Sequence, residues 1–182
     1  MLAQQIAKKY SRAIFELAKE RNQIDLAWEQ FKSFGEYLKI DDTFVNFMTA
    51  PQVNDTNKMA LIKNVFEGRL ETPFYNFIKV LVHKRRIKYL EAIIEHLDIL
   101  IREHKKLARV TCFTISKISD EERRKLIKQL EQKTSLTVEL IEKVDAKMIG
   151  GMKVMLDNQI IDGSVRHDLN QLRNRLMKVK VH

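Results

Sequence analysis

The spacing of apolar residues changes once along this 182-residue chain, near residue 105, and that change limits what each part can fold into. Before it, apolar side chains recur every three or four positions, the period of one helix face. After it come short runs rich in β-branched and aromatic residues, the pattern of strands, interleaved with further helical periods. Glycine and proline number only five and two, so few positions interrupt a helix.

In the first part, Ile6, Tyr10, Ala13, Ile14 and Leu17 share one helical face, and Ile24, Ala27, Trp28, Phe31, Phe34 and Leu38 mark a second helix. A short third helix follows Asp41-Asp42 with Phe44, Phe47 and Met48. Pro51 and Asn54-Asp55 break the chain before a fourth, which carries Leu61, Ile62, Val65 and Phe66 and ends at Gly68. Thr72 is expected to cap a fifth helix, with Pro73 in its first turn, where a missing N–H costs nothing. Ile87, Leu90, Ile94, Leu97 and Ile101 stripe a sixth. Six helices in this length predict a compact bundle over residues 1–105.

The second part, residues 106–182, reads as α+β. Ala108–Ile115 and Leu136–Ile141 are predicted strands. Ser119 with Glu122 forms a capping box opening a helix that runs to about Thr134. Met152–Leu156 and Gln159–Ile161 flank Asp157-Asn158, residues that tolerate a left-handed turn, and so predict a hairpin. A last helix aligns Val165, Leu169, Leu172 and Leu176, with Arg166, Arg173, Arg175 and Lys178 mostly elsewhere. The expected fold is therefore a six-helix bundle followed by a small β-α-β-hairpin-α domain.

The net charge is +9. Residues 1–105 hold 17 basic and 14 acidic residues, and residues 106–182 hold 16 and 10, so the positive excess is denser in the second part. A basic helical protein that binds nucleic acid is the alternative this charge raises. Against it, no basic run exceeds Lys84-Arg85-Arg86, and no zinc finger, RRM signature or GXXG loop occurs. The bland role for Lys84-Arg85-Arg86-Lys88 is to neutralise the end of the fifth helix. Cys112 is the only cysteine, so no internal disulfide can form, which fits a reducing compartment. No stretch approaches the ~20 apolar residues that span a bilayer. The opening residues read as an amphipathic helix carrying Glu16 and Glu20, unlike a signal or transit peptide.

The residues of catalysis are scattered. His83, His96, His104, His167 and His182 form no HExxH, and His96 and His104 stand about two turns, roughly 12 Å, apart on one helix. Gly150-Gly151 lacks the spacing of a phosphate loop and reads as a kink or bulge. Cys112 in a strand reads as core packing. Asp41-Asp42 and Glu121-Glu122 lie near helix starts, where they complement the dipole. No catalytic, cofactor-binding or metal-binding residue is expected.

One feature exceeds the needs of a bundle. The fifth helix carries Phe74, Tyr75, Phe77, Ile78, Val80, Leu81 and Val82, apolar around most of its circumference. The first has a second, small-residue side, Ala3, Ala7, Ser11 and Ala18, flanked by Phe15. A surface helix needs only one apolar stripe, so the surplus signifies either full burial or a groove for a partner helix.

The stretch Val144-Asp145-Ala146-Lys147-Met148-Ile149-Gly150-Gly151, then Ile161-Asp162-Gly163-Ser164-Val165 and Leu169, Leu172 and Leu176, resembles the signature of the delta subunit family of F-type ATP synthase, relatives of the mitochondrial oligomycin-sensitivity-conferring protein. Ile6–Ala18, Phe47, Pro51, Lys58, Leu61 and Asn76–Ile87 resemble that family's N-terminal part, in order and length. Ser11 and Met148 depart from its usual Ala and Leu. The resemblance implies a non-catalytic stator subunit without cofactor, a monomer in its complex. Its N-terminal domain would grip the N-terminal helix of an alpha subunit on the catalytic head, and its C-terminal domain would meet the peripheral-stalk b subunits. Membrane association would be indirect, at the cytoplasmic face of a bacterial inner membrane, with no nucleic acid expected. The family's groove lies between the first and fifth helices, which makes Ala7, Ser11, Ile14, Phe15, Phe74, Phe77, Ile78 and Leu81 the expected lining. Pattern alone does not separate these groove residues from core.

Overall fold

The computed structural model describes residues 2–41, 43–156 and 159–179, with side chains for 3–41, 43–156 and 159–173. The chain mixes α and β structure in two compact units, Met1–His104 and Lys105–His182.

The first unit contains α1 (Leu2–Glu20), α2 (Ile24–Ile40), α3 (Thr43–Thr49), α4 (Asp55–Phe66), α5 (Thr72–His83), a 3-10 turn (Ile87–Tyr89) and α6 (Leu90–Lys105). Asn54 caps α4, its side chain accepting from Asn57 N at 2.8 Å. The expected cap Thr72 is instead the first residue of α5; Glu71 stands at the cap without a side-chain bond, and Pro73 sits inside the first turn. Ile87 falls in the 3-10 turn before α6, because Arg85 (φ +54) ends α5 in a left-handed turn and the chain restarts tightly.

One continuous core fills this unit, centred on Ile14, Ile62, Phe74, Ile78, Leu81, Leu90, Leu97 and Ile101. Edge-on ring contacts join Phe31 to Phe74 at 5.6 Å and Phe34 to Phe66 at 4.8 Å, the offset geometry that aromatic quadrupoles prefer. Gly35 lets α2 approach α6, since a Cβ there would stand 2.9 Å from Ile94 Cγ2. Polar anchoring supplements the packing: Trp28 Nε1 donates to Asp98 at 2.7 Å, and Arg102 Nε donates to the other carboxylate oxygen at 3.0 Å.

The second unit runs β1 (Leu107–Thr114), α7 (Asp120–Thr134), β2 (Thr137–Val144), β3 (Gly151–Leu156), β4 (Gln159–Ser164) and α8 (Val165–Val179). Its sheet has the order β2-β1-β3-β4. β1 and β2 pair parallel, which demands a crossover; α7 provides it. β3 joins β1, and β4 joins β3, antiparallel. The capping box forms as written in the sequence, with Ser119 Oγ accepting from Glu122 N and Glu122 accepting from Ser119 N at 2.9 Å. Glu131 then accepts from Val138 N at 3.1 Å, and Arg123 donates to Glu142 at 2.6 Å, fastening α7 to β2. β2 extends to Val144, beyond the predicted end at Ile141, because its whole length pairs with β1. Leu156 pairs with Gln159; the expected turn residues Asp157 and Asn158 lie outside the described residues, as does the side chain of Leu176. Ala108, Val110, Cys112, Leu130, Val138, Leu140 and Val154 make the core. Burial there pushes the Cys112 thiol pKa up, with Glu142 adding to the effect.

Candidate functional site: two apolar faces

The small-residue side of α1 faces inward. Ala7, Ser11, Ile14 and Ala18 form its buried stripe, with Phe15 beside it. Small side chains allow helix axes to approach closely. Ser11 is fully enclosed, its Oγ donating to Lys8 O at 3.2 Å and 2.9 Å from His96 Nδ1 on α6. Phe15 meets the His104 ring edge-on at 5.5 Å. On α5, Phe74, Ile78 and Leu81 are equally enclosed.

Seven of the eight expected groove residues, Ala7, Ser11, Ile14, Phe15, Phe74, Ile78 and Leu81, are thus buried in the core of the unit. Phe77 alone is half-exposed. The burial has a plain cause: both helices carry two adjacent apolar stripes, and period cannot tell which one meets neighbouring helices. The outward stripe of α1 is Ile6, Tyr10, Ala13 and Leu17, half-buried except for exposed Ala13. Its counterpart on α5 is Phe77 with Val80, the latter 48% exposed. The two helices pack together here, with the Tyr10 and Phe77 rings 6.2 Å apart and edge-on. Arg86 donates to the Tyr10 hydroxyl at 2.7 Å and fixes that ring at one end of the face.

The second face belongs to α8. Val165, Leu169 and Leu172 stand one turn apart on one side and are 39%, 54% and 53% exposed. α8 packs on β4, where Ile160 and Ile161 are exposed too. Apolar residues at helical spacing that do not enter a core are the mark of a docking surface.

The signature residues hold the start of α8. Gly151 has φ +80, and a Cβ there would lie 2.3 Å from Gly163 O and 2.9 Å from Ser164 Cα. Only glycine tolerates both demands. Gly150 O accepts from Val165 N at 3.1 Å, and a Cβ on Gly150 would press on Val165 Cγ2 at 3.3 Å. Asp162 Oδ1 accepts from Ser164 N at 3.0 Å, and Ser164 Oγ accepts from His167 N at 3.3 Å. The Ser164 bonds hold the Asp162 carboxyl below its usual range. Asp145 builds the preceding turn, accepting from Lys147 N at 2.9 Å while its own N–H donates to Thr114 O. Val144, Ile149, Ile161 and Val165, the signature's apolar members, are exposed. The motif therefore divides into turn-builders and surface apolar residues.

No helix among the described residues is long and apolar enough to cross a membrane. The protein-family profile for the ATP synthase delta (OSCP) subunit matches residues 6–176. A Fusobacterium nucleatum ATP synthase subunit delta is 30% identical over 174 residues, covering 95% of this chain and 99% of that protein. The Lachnoclostridium phytofermentans subunit delta is 25% identical, covering 99% and 100%. A chain of the Toxoplasma gondii mitochondrial ATP synthase hexamer shares the fold, with a TM-score of 0.72, 22% identity, and coverage of 94% of this chain and 97% of that one. With both units inside a single family match, the chain belongs to the ATP synthase delta (OSCP) subunit family.

Proposed function

We propose that this chain is the joint of an F-type ATP synthase stator, in which residues 1–105, a six-helix bundle, hold the N-terminal helix of an alpha subunit and residues 106–182, the β-α-β-hairpin-α domain, hold the ends of the b subunits. The observation that carries the reading is the family match from residue 6 to 176, which runs through both units. The protein is a structural component of the peripheral stalk: it keeps the catalytic head from turning with the rotor and performs no chemistry itself. It acts as a monomer in the complex, peripheral to the cytoplasmic face of the bacterial inner membrane through its partners. The family match displaces the nucleic-acid alternative raised by the charge.

The alpha helix docks on Tyr10, Ala13, Phe77 and Val80, in place of the enclosed residues beneath them. Ala13, small and exposed on the stripe that carries Tyr10, would let the apolar face of an amphipathic helix approach closely. Burial there at about 25 cal/mol per Å² supports a tight joint without a covalent link. The b subunits cover Val165, Leu169 and Leu172.

A peptide copying about 20 residues from the cognate alpha N-terminus, roughly 30 Å as a helix, tests this by calorimetry. One-to-one binding is expected, weakened at least tenfold by Val80→Asp with the thermal midpoint unchanged. No binding by the folded protein overturns the alpha assignment, and full affinity in Val80→Asp overturns the face. Charge at Ser11 is unsuited to the purpose, since that enclosed position reports on folding.

A further inference from the structure

We propose that the first unit also carries an oxyanion site, between the start of α4 and the turn after α5, whose ligand is a phosphate group. A cavity of about 480 Å³ opens there, and Lys58, Arg85 and Lys88 line it. Asp55 is the one acidic side chain on its wall among the described residues. None of the three cations forms an ion pair among the described residues. Three positive charges around one concavity, opposed by a single carboxylate, make a positive field that attracts an anion. This is unlike the neighbouring Arg86, which is committed to Tyr10.

The cations are not equally free to drift. Arg85 sits at φ +54, with its N–H on Val82 O at 2.8 Å and the next N–H on Leu81 O at 2.7 Å. The turn is pinned, so the root of the guanidinium is fixed. The Lys88 ammonium lies 5.0 Å from the centre of the Tyr89 ring. An arginine and two lysines lining one cavity suit phosphate: the guanidinium fork takes two oxygens and the ammonium charges neutralise the rest. Thr49 adds a hydroxyl to the wall. The positive end of the α4 dipole has the same sign as the cations.

The floor is apolar, made by Met48, Val82 and Ile87, all buried. A bare phosphate would fill only the charged rim. A phosphate monoester with a compact apolar body fills both parts, so esters bind more tightly than the inorganic ion. The site is separate from the α1–α5 face proposed for the alpha helix and does not depend on that reading.

The test is an amide NMR titration of the full chain with inorganic phosphate and with phenyl phosphate, at constant ionic strength with chloride as the balancing ion. Saturable shifts centred on residues 54–58 and 85–88 are expected, with phenyl phosphate several-fold tighter. Arg85→Gly suits a position with positive φ and removes the cation without endangering the fold. Combined with Lys58→Gln, it should weaken binding at least tenfold, while Lys125→Gln in the second unit leaves it unchanged. Shifts that grow linearly or spread over the basic surface overturn the site. So do equal losses in the control variant, or an acidic peptide that saturates these residues when phosphate does not.

Discussion

The two units handle apolar residues in opposite ways. The helical unit encloses Ile14, Ile62, Phe74, Ile78 and Leu97 so fully that none keeps more than 1% of its surface in water. Among its described residues the sheet unit encloses seven side chains, with six more half-buried against them, yet leaves eight large apolar ones exposed: Ile115, Val144, Ile149, Ile160, Ile161, Val165, Leu169 and Leu172. A small domain of this kind is marginal alone, and a partner that covers those residues stabilises it by mass action. The first unit thus has a filled core of its own, whereas the second keeps apolar surface that a partner would cover.

The largest expected effect tests the independence of the two. Phe74→Ala removes a fully enclosed ring from the first unit and should cost about 3–5 kcal/mol. Hydrogen exchange should show protection lost across residues 1–104 and retained in the sheet. Simultaneous loss in both would show a single cooperative body and dissolve the comparison.

Next is Gly151→Ala. It forces a Cβ into the left-handed region, at a cost of about 1–2 kcal/mol, and against Gly163 O at 2.3 Å, which requires the hairpin to shift. The thin core of the second unit should then melt earlier, with exchange rising first at β3, β4 and the start of α8, while the first unit is unaffected. An unchanged second unit would remove the signature's structural role.

The third prediction separates folding from docking. Leu169→Asp changes a 54% exposed residue and should alter stability by less than about 0.5 kcal/mol, yet weaken b-subunit binding about tenfold. With a denser basic excess in residues 106–182, salt should weaken the b joint more than the alpha joint. Equal salt dependence, measured by calorimetry at two ionic strengths, would refute an electrostatic contribution specific to the second unit.

These contrasts also explain what the sequence could and could not reveal. The capping box at Ser119 and Glu122 was readable because its chemistry is local. β1 and α8 were readable because composition and period agree over several residues. Cys112 in the core followed from its place in an apolar strand. The inward face of α1 was not readable. Ala7, Ser11 and Ala18 look like a groove for a partner, yet all three are enclosed, and Ser11 meets His96, which lies far along the chain. Conversely, Tyr10, Leu17 and Val80 look like core by hydropathy alone. Ser11, the departure from the family's usual Ala, was the available clue: an enclosed hydroxyl needs a partner, and His96 is one. The cap of α5 was missed because Thr72 and Glu71 compete for one position and the backbone decides. The Lys58, Arg85 and Lys88 cavity joins residues about thirty apart, beyond the reach of any short motif.

The smallest expected effect is a difference in acid response. In the second unit, the Glu122 carboxylate accepts from Ser119 N at 2.9 Å and Ser119 Oγ at 2.7 Å, which holds its pKa below the ordinary 4.5. In the first, Thr43 bonds hold Asp41 below the ordinary 3.8. A carboxyl whose folded pKa is depressed contributes stability above its unfolded pKa and loses it as pH falls through the folded value. The Glu122 contribution therefore begins to fade below about pH 4.5, and that of Asp41 only below about pH 3.8. Thermal melts followed separately in the two units should show the second weakening first as acid is added. Both carboxylates are exposed, so solvent screening keeps each change small. Glu122→Gln should flatten the early part of the acid slope in the second unit and leave the first unit's slope intact. If the wild type and Glu122→Gln keep parallel slopes through that window, the capping box contributes nothing to the acid response there.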